Sequence, residues 1–228
     1  MKRISLLSAL LLAVGAAVAA AAAGSPAPVN EAQAVAFARA VDLTAADLPG
    51  AQELSDAFQE PGAEEREARR AQSRLLRCAR PGAFAHKPVY RSVSALAYGD
   101  WIVGAAVVVM PSRAIATDEI GVFACARGHA CFARGAQPIV GSANEPPLPP
   151  KPLRTVFIRL ATLLGRGAIG VHTLSRQLRG ARTDDVVFRV GTAEIEFVAF
   201  GKRQFPSATE VGLLRLLHAR AEAAAGRL

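Results

Sequence analysis

Two glutamates in the last third of the chain have a spacing that suits acid–base chemistry. Glu194 and Glu196 are separated by one residue, in a stretch where apolar and polar side chains alternate. On a strand, such residues share one face with their carboxylates about 7 Å apart, which is compatible with an inverting glycosidase pair. Alternation with Ile195 and Phe197 also explains them as the water-facing side of an amphipathic strand. We favour this second interpretation, because no neighbouring residues indicate a raised pKa.

Four arginines recur at helical spacing in a charged segment, residues 63–79. They are Arg66, Arg70, Arg74 and Arg77. This spacing places four guanidinium groups along one helix face, where they could bind phosphate or carboxylate groups bidentately. Charge runs on helices more often face water, and Glu64 and Glu67 are placed to pair along the same helix. The four arginines are nevertheless the best candidate for a partner surface.

Three cysteines and a histidine offer either a metal site or a disulfide. Cys125, His129 and Cys131 lie within seven residues, and Cys78 would complete the four ligands of a tetrahedral zinc. Zinc sites usually contain C-x-x-C turns, which this chain lacks, and an oxidising compartment favours disulfides. A Cys78–Cys131 bridge would close a loop of about 50 residues and restrict the unfolded chain by roughly 4 kcal/mol, whereas Cys125–Cys131 is the local alternative. We favour the long-range bridge, with Cys125 as a small buried apolar residue and with no metal or other cofactor.

The first half of the chain is predicted to place helices around one hairpin. Capping-box spacings at Asn30 and Thr44 indicate the starts of two helical segments. Residues 89–110 have a period of two around a glycine–aspartate turn, and the return strand is apolar on both faces, as central strands are. A helix follows and is expected to end at Gly128.

The second half is predicted to be a run of strands closed by a helix. Residues 138–152 contain six prolines and no periodicity, which is typical of an extended connector. Strands are predicted at 154–164, 168–176, 185–190 and 193–200. Ser207 and Glu210 have the spacing of a capping box for the last helix. The order predicts an α+β class: an antiparallel sheet of about five to six strands with flanking helices, in one domain over residues 24–228.

The N-terminus has the layout of a secretory signal peptide, predicted to span residues 1–23. A basic start is followed by an apolar run, and Ala21 and Ala23 form a small-x-small cleavage site before Gly24. An uncleaved anchor is the alternative, because the run is about as long as the roughly 20 residues that cross a bilayer. Its second half is mostly alanine, which is only marginally apolar and therefore favours cleavage. Both interpretations place the rest of the chain outside the cytoplasm.

The charge of the chain predicts an anionic partner. The net charge is +8, and removal of residues 1–23 leaves 25 basic and 19 acidic residues, a net charge of +6. Such a surface attracts wall polymers or lipid headgroups, so we expect an anionic envelope component or small ligand and a peripheral membrane contact. We expect no nucleic-acid partner, and the oligomeric state stays open.

Three stretches carry a resemblance to known proteins. They are VDLTAADLPG at 41–50, VVVMPSRAIA at 107–116 and AEIEFVAFGKRQFPSATEVGLLRLLHARA at 193–221. Together they resemble a family of uncharacterised secreted actinobacterial proteins. More distantly, the layout is similar to the extracellular sensor domains of mycobacterial serine/threonine kinases and related lipoproteins. The resemblance implies a disulfide-braced antiparallel sheet with flanking helices and a ligand-binding role, and it brings no catalytic residues.

The sequence therefore favours a non-catalytic extracytoplasmic binding or sensor-like domain for an anionic or amphipathic cell-envelope ligand. One alternative is a secreted hydrolase that acts through the carboxylates of Glu194 and Glu196. Another is a structural protein of the cell envelope that binds no ligand.

Overall fold

The computed structural model describes residues 29–54, 70, 73–81, 86–123, 125–135, 154–164, 168–175, 181–226 and 228. The predicted signal peptide, Arg66 and the proline-rich stretch 138–152 lie outside these residues. The predictions made for them are therefore neither supported nor contradicted by the fold.

A seven-stranded antiparallel sheet organises the described residues. Its strands are β1 (Gln52–Glu53), β2 (Tyr90–Tyr98), β3 (Trp101–Val109), β4 (Arg154–Arg159), β5 (Ile169–Ser175), β6 (Ala181–Val190) and β7 (Ala193–Gly201). The spatial order is β1-β2-β3-β7-β6-β5-β4, so that two meanders meet where β3 pairs with β7. The predicted α+β class is confirmed, and the two-residue strand β1 adds to six longer strands.

Helices lie along the sheet. They are α1 (Glu31–Val41), α2 (described at residues 70 and 73–79), α3 (Arg113–Phe123), α4 (Ala126–Gly135), α5 (Ala161–Leu164) and α6 (Ser207–Ala225). A short 3₁₀ turn, Ala45–Asp47, follows α1. Among the helices that the structure describes, none combines the length and apolar character needed to cross a bilayer.

One side of the sheet, here the apolar face, packs against α1 and α6. Phe188, Ile195 and Phe197 point to this side from β6 and β7, and they are buried together with Phe37 of α1 and Leu214 of α6. Full burial of each large apolar side chain contributes about 1.5–3 kcal/mol. The main hydrophobic core therefore lies between this face and the two helices.

The other side, here the acidic face, packs against α3. The side chains of β7 alternate, so Glu194, Glu196 and Val198 project to the side opposite Ile195 and Phe197. Ala106 and Val198 form a small buried apolar cluster at the centre of this face. The two sides of one sheet thus differ in chemistry, although both are covered.

Two hairpin turns fix the register of the central strands. Gly99 and Gly191 have positive φ angles of 55° and 60°, and each begins a two-residue connection, between β2 and β3 and between β6 and β7. Two-residue hairpin loops require such angles, which glycine adopts without steric cost. The turn predicted at Gly99 is confirmed.

Capping signals were partly predictive. Asn30 accepts a hydrogen bond from the Gln33 N–H (2.9 Å) and its own N–H donates to the Gln33 side chain, as expected. The box predicted at Ser207 is wrong: Pro206 is the N-cap residue of α6, and no side chain caps that end. Glu210 lies in the first turn of α6 and is buried.

Two predicted boundaries also differ from the structure. The helix after β3 ends at Phe123, and Gly128 lies inside α4 instead of ending a helix. A Cβ atom at Gly128 would overlap the carbonyl oxygen of Val122, so the missing side chain allows close approach of α4 to the end of α3. The strand predicted over 154–164 ends at Arg159, where α5 soon begins.

Candidate functional site

Glu194 and Glu196 are buried side by side on the acidic face. Their exposed fractions are 1% and 5%. Val108 of β3 and Arg189 of β6 are the register partners of Glu194, and α3 packs across β6 and β7 above them. The interpretation of these glutamates as the water-facing side of an amphipathic strand is therefore wrong, because a helix covers the face to which they point.

Two further carboxyl groups complete what we call the carboxyl layer: Glu119, Asp185, Glu194 and Glu196. Glu119 projects from α3 with an exposed fraction of 0%, and Asp185 lies on β6 with 4%. The carboxyls of Glu119 and Glu194 are close enough for each to shift the pKa of the other. None of their four oxygens makes a well-formed hydrogen bond to the part of the chain that the structure describes. The layer thus joins α3 to the sheet through acidic groups on both sides.

Most carboxyl oxygens of the layer make no well-formed hydrogen bond within the described residues. These are both carboxyl oxygens of Glu119 and of Glu194, one of Glu196 and one of Asp185. A buried carboxylate without a compensating partner is very unfavourable, so such a group takes up a proton instead. The geometry therefore favours neutral carboxyls at this interface.

Burial raises the pKa of every member of the layer. Burial raises the pKa of Glu119 to about 8, with a smaller upward contribution from Asp118, although pairing with Glu194 lowers it. Burial also raises the pKa of Glu196 to about 8, against a lowering effect of Arg91. The pKa values of Glu194 and Asp185 lie well above their usual ranges because of burial and because of the neighbouring carboxyl groups.

Basic side chains flank the layer. Arg91 of β2 and Arg189 of β6 act on Glu196 and Glu194, respectively. Nδ1 of His86 lies 3.8 Å from a carboxyl oxygen of Glu119. Burial lowers the pKa of His86, against a raising effect of Asp118, so this imidazole is mostly neutral at pH 7. The four carboxyls thus outnumber the arginines that act on them, Arg91 and Arg189.

The raised pKa values mean that the carboxyls of the layer are protonated at neutral pH. A carboxyl group with a pKa near 8 could serve as a general acid, but the four groups are out of contact with solvent in this conformation. The described part of the chain contains no group of three or more histidine, cysteine, aspartate or glutamate side chains that could hold a metal ion.

The predicted arginine stripe lies at the surface. Arg70, Arg74 and Arg77 of α2 are exposed, whereas Arg66 lies outside the described residues. Arg80 follows the helix, with a side chain that is 49% exposed and 3.2 Å from Asp118 of α3. Residues 70–80 and 126–135 together contain six arginines and no aspartate or glutamate. We call the exposed set Arg70, Arg74, Arg77, Arg80 and Arg127 the basic surface.

A disulfide holds the two helices of the basic surface together. Cys78 of α2 is bonded to Cys131 of α4, with Cα atoms 5.8 Å apart and a sequence separation of 53. Nε of Arg127 donates a hydrogen bond to the carbonyl oxygen of Cys78 (2.9 Å) across the same junction. The expectation that Cys125 is a buried apolar residue is wrong, because its thiol is free and exposed. Disulfides persist in oxidising compartments, so the bridge fits an extracytoplasmic location.

Sequence reasoning missed Glu119, Asp185 and the basic residues around them. One signal could have identified Glu119: it lies at i+3 from Ala116 and beside Ile120, on the helix face predicted to be buried. No comparable signal marks Asp185, because a strand pattern shows which residues share a face and not what covers that face.

Comparison with known proteins yields one structural likeness. No protein-family model matches the chain. No curated protein matches it at a significant level. Among solved structures, the chain is similar to the extracellular domain of PknH from Mycobacterium tuberculosis, with 13% sequence identity, 88% of this chain and 98% of that chain covered, and a TM-score of 0.45. This is the distant resemblance to kinase sensor domains expected from the sequence, and it brings no ligand or residue role with it.

Proposed function

We propose that this chain is a non-catalytic extracytoplasmic binding domain whose basic surface holds an anionic or amphipathic component of the cell envelope. The observation that carries the proposal is the exposure of Arg70, Arg74 and Arg77 on a helix that a disulfide fixes to a second basic helix. The chemistry recognised is phosphate, carried either by a lipid headgroup or by a wall polymer.

The arrangement suits phosphate because guanidinium groups bind it bidentately. An array that is already rigid loses less conformational entropy on binding than a flexible basic tail. The Cys78–Cys131 bridge and the Arg127 hydrogen bond supply this rigidity. The absence of carboxylates from residues 70–80 and 126–135 leaves the positive field of these segments uncompensated from within.

The alternative, a secreted hydrolase acting through Glu194 and Glu196, requires those carboxyls to meet a substrate. In the described structure α3 covers both of them, so the geometry favours the binding role. The proposal also includes export with removal of residues 1–23. Intact-mass measurement of protein from the native organism should then give a mature chain that begins at Gly24.

The binding role is tested by sedimentation with vesicles of phosphatidylcholine, with and without phosphatidylglycerol. The variant R70Q/R74Q/R77Q removes three charges from the basic surface. At about 1 kcal/mol for each arginine near an anionic bilayer, its affinity for phosphatidylglycerol vesicles should fall by about 100-fold. The matched control R39Q/K202Q/R215Q removes three exposed charges from α1, α6 and the loop after β7, and it should change the affinity much less.

A phosphate-bearing wall polymer, added as a soluble competitor, distinguishes the two sources of phosphate. If the wall polymer is the ligand, it displaces the protein from vesicles at a lower phosphate concentration than phosphatidylglycerol does. An equal loss of affinity in the two triple variants would show that only net charge matters, and the proposal would then be wrong. Wild-type protein that binds neither vesicles nor polymer would also overturn it.

A further inference from the structure

We propose that the carboxyl layer is a pH-sensitive latch, which holds α3 against the sheet while its carboxyls are protonated and releases α3 as they ionise in mildly alkaline solution. The latch does not depend on the basic surface binding any ligand, because it concerns only the interface between α3 and the acidic face.

The proposal stands on the position of the four carboxyls across one interface. Glu119 comes from α3, whereas Asp185, Glu194 and Glu196 come from the sheet, and all four are more than nine-tenths buried. Most of their oxygens have no well-formed hydrogen bond within the described residues. Protons are therefore the counterpart that keeps this interface closed, and their loss leaves like charges opposed across it.

The charged groups around the layer cannot balance four carboxylates. The groups on the strands are Arg91 of β2 and Arg189 of β6, and burial together with the positive charge of Arg113 already lowers the pKa of Arg189. At the register positions next to the layer, β3 carries Ala106 and Val108, which do not titrate. On β5 the corresponding positions are Ile169 and Val171. The neighbouring register positions on β3 and β5 are thus apolar, and Arg159 of β4 lies two strands further out by register.

The helix side adds Arg113 of α3, which acts on Arg189. His86, beside Glu119, has a pKa lowered by burial and is neutral in alkaline solution. Asp118 of α3 adds negative charge, and its ion pair with Arg80 is directed away to α2. Full ionisation thus places four carboxylates against three arginines, Arg91, Arg189 and Arg113, with Asp118 adding further negative charge, and the excess of like charge pushes α3 from the sheet.

Release of α3 would also move the helices of the basic surface. Gly128 allows α4 to pack directly on the end of α3 at Val122, and the disulfide joins α4 to α2. Arg80 links α2 back to α3 through Asp118. The three helices therefore move as one group, while α1 and α6 stay packed on the apolar face.

Hydrogen exchange followed by mass spectrometry tests the latch, after correction for the chemical exchange rate at each pH. Where a carboxyl is protonated only in the docked state, the opening constant rises about tenfold per pH unit. We therefore expect protection of Arg113–Phe123 to fall by at least about tenfold for each unit between about pH 5 and pH 8. Protection of α6 should stay higher than that of α3 at every pH, because α6 remains packed on the apolar face when α3 opens. The fluorescence of Trp101, which packs on the apolar face, should stay constant and so exclude global unfolding.

The variant E119Q/E194Q supplies the control for ionisation, because glutamine keeps the shape of the protonated glutamate and cannot ionise. Its α3 protection should vary much less with pH than that of the wild type. E222Q, at a glutamate whose side chain is 65% exposed, should keep the wild-type profile. A flat wild-type profile, or an equal slope in E119Q/E194Q, would overturn the latch.

Infrared spectroscopy gives a second measurement, which needs only the wild-type protein. Wild-type protein at neutral pH should show the C=O stretch of a protonated carboxylic acid, and this band should persist while α3 protection falls and disappear near pH 8, where the docked carboxyls ionise. If the band is missing at neutral pH, the carboxyls are already ionised and the proposal fails.

Discussion

The two faces of the sheet show two ways of covering the same strands. On the apolar face, Phe188 and Phe197 pack with side chains from α1 and α6. These side chains do not titrate, so the stability of this contact does not depend on pH. On the acidic face, Glu194 and Glu196 lie under α3, and the contact is stable only in one protonation state. One face therefore provides constant stability, whereas the other makes stability a function of pH.

The edges of the apolar face show how charge is handled when it is paired. Arg220 of α6 donates two hydrogen bonds to the carboxylate of Asp47, at 2.9 and 2.6 Å. Burial alone would raise the pKa of Asp47, but the hydrogen bonds from Arg220 and Thr44 outweigh burial and lower it. The difference between Asp47 and Glu196 is thus the presence of donors and not the degree of burial alone.

The largest expected effect is on the pH dependence of the free energy of unfolding. A folded pKa of about 8 for Glu196, against 4.5 as its ordinary value, means that its stabilising contribution is complete below pH 4.5 and is lost as the pH rises to about 8. The free energy of unfolding should therefore fall by about 1.4 kcal/mol per pH unit for each such group. Urea titrations at a series of pH values measure this slope. E196Q should lower the slope by about one group, and an unchanged slope would contradict the assignment.

The next largest effect is the loss of unfolding free energy when an apolar-face side chain of β7 is truncated. Phe197→Ala removes a fully buried ring from the main core and should lower the free energy of unfolding by about 4 kcal/mol. Phe200→Ala is the matched control, because Phe200 projects to the opposite side of β7 and is only partly buried. Its loss should be less than half as large in the same denaturation experiment. Equal losses would show that the apolar face does not dominate packing.

The smallest effect concerns the paired charge. Arg220→Lys keeps the positive charge and removes the bidentate geometry, so we expect a loss of about 1 kcal/mol in thermal or chemical unfolding. Arg215→Lys, on the exposed side of the same helix, should be neutral. A larger loss in Arg215→Lys than in Arg220→Lys would contradict the importance of the Asp47 pair.

Local signals in the sequence predicted much of the fold. The Asn30 capping box, the turn at Gly99 and the last two strands depend on short-range geometry, and the structure has them close to the expected positions. Gly128 was misjudged because a glycine that ends a helix and one that allows close helix packing look alike in sequence. The structure uses it for packing.

The candidate site was harder to predict because it depends on what covers a face. Alternation placed Glu194 and Glu196 on one side of a strand, which is correct, but water was assumed to be on that side. The cover is α3, about 75 residues earlier in the chain. Glu119 meets Glu194 only through tertiary packing, so no local pattern could pair them.

The position of β7 has a consequence for the order in which the molecule is completed. This strand is late in sequence and yet lies between β3 and β6. Until β7 has paired, β3 and β6 each have one unpaired edge, and unpaired edges favour association with other chains. Pairing of β7 covers both edges. Because β7 also carries Glu194 and Glu196, completion of the sheet at this point brings these two carboxyls into the interior.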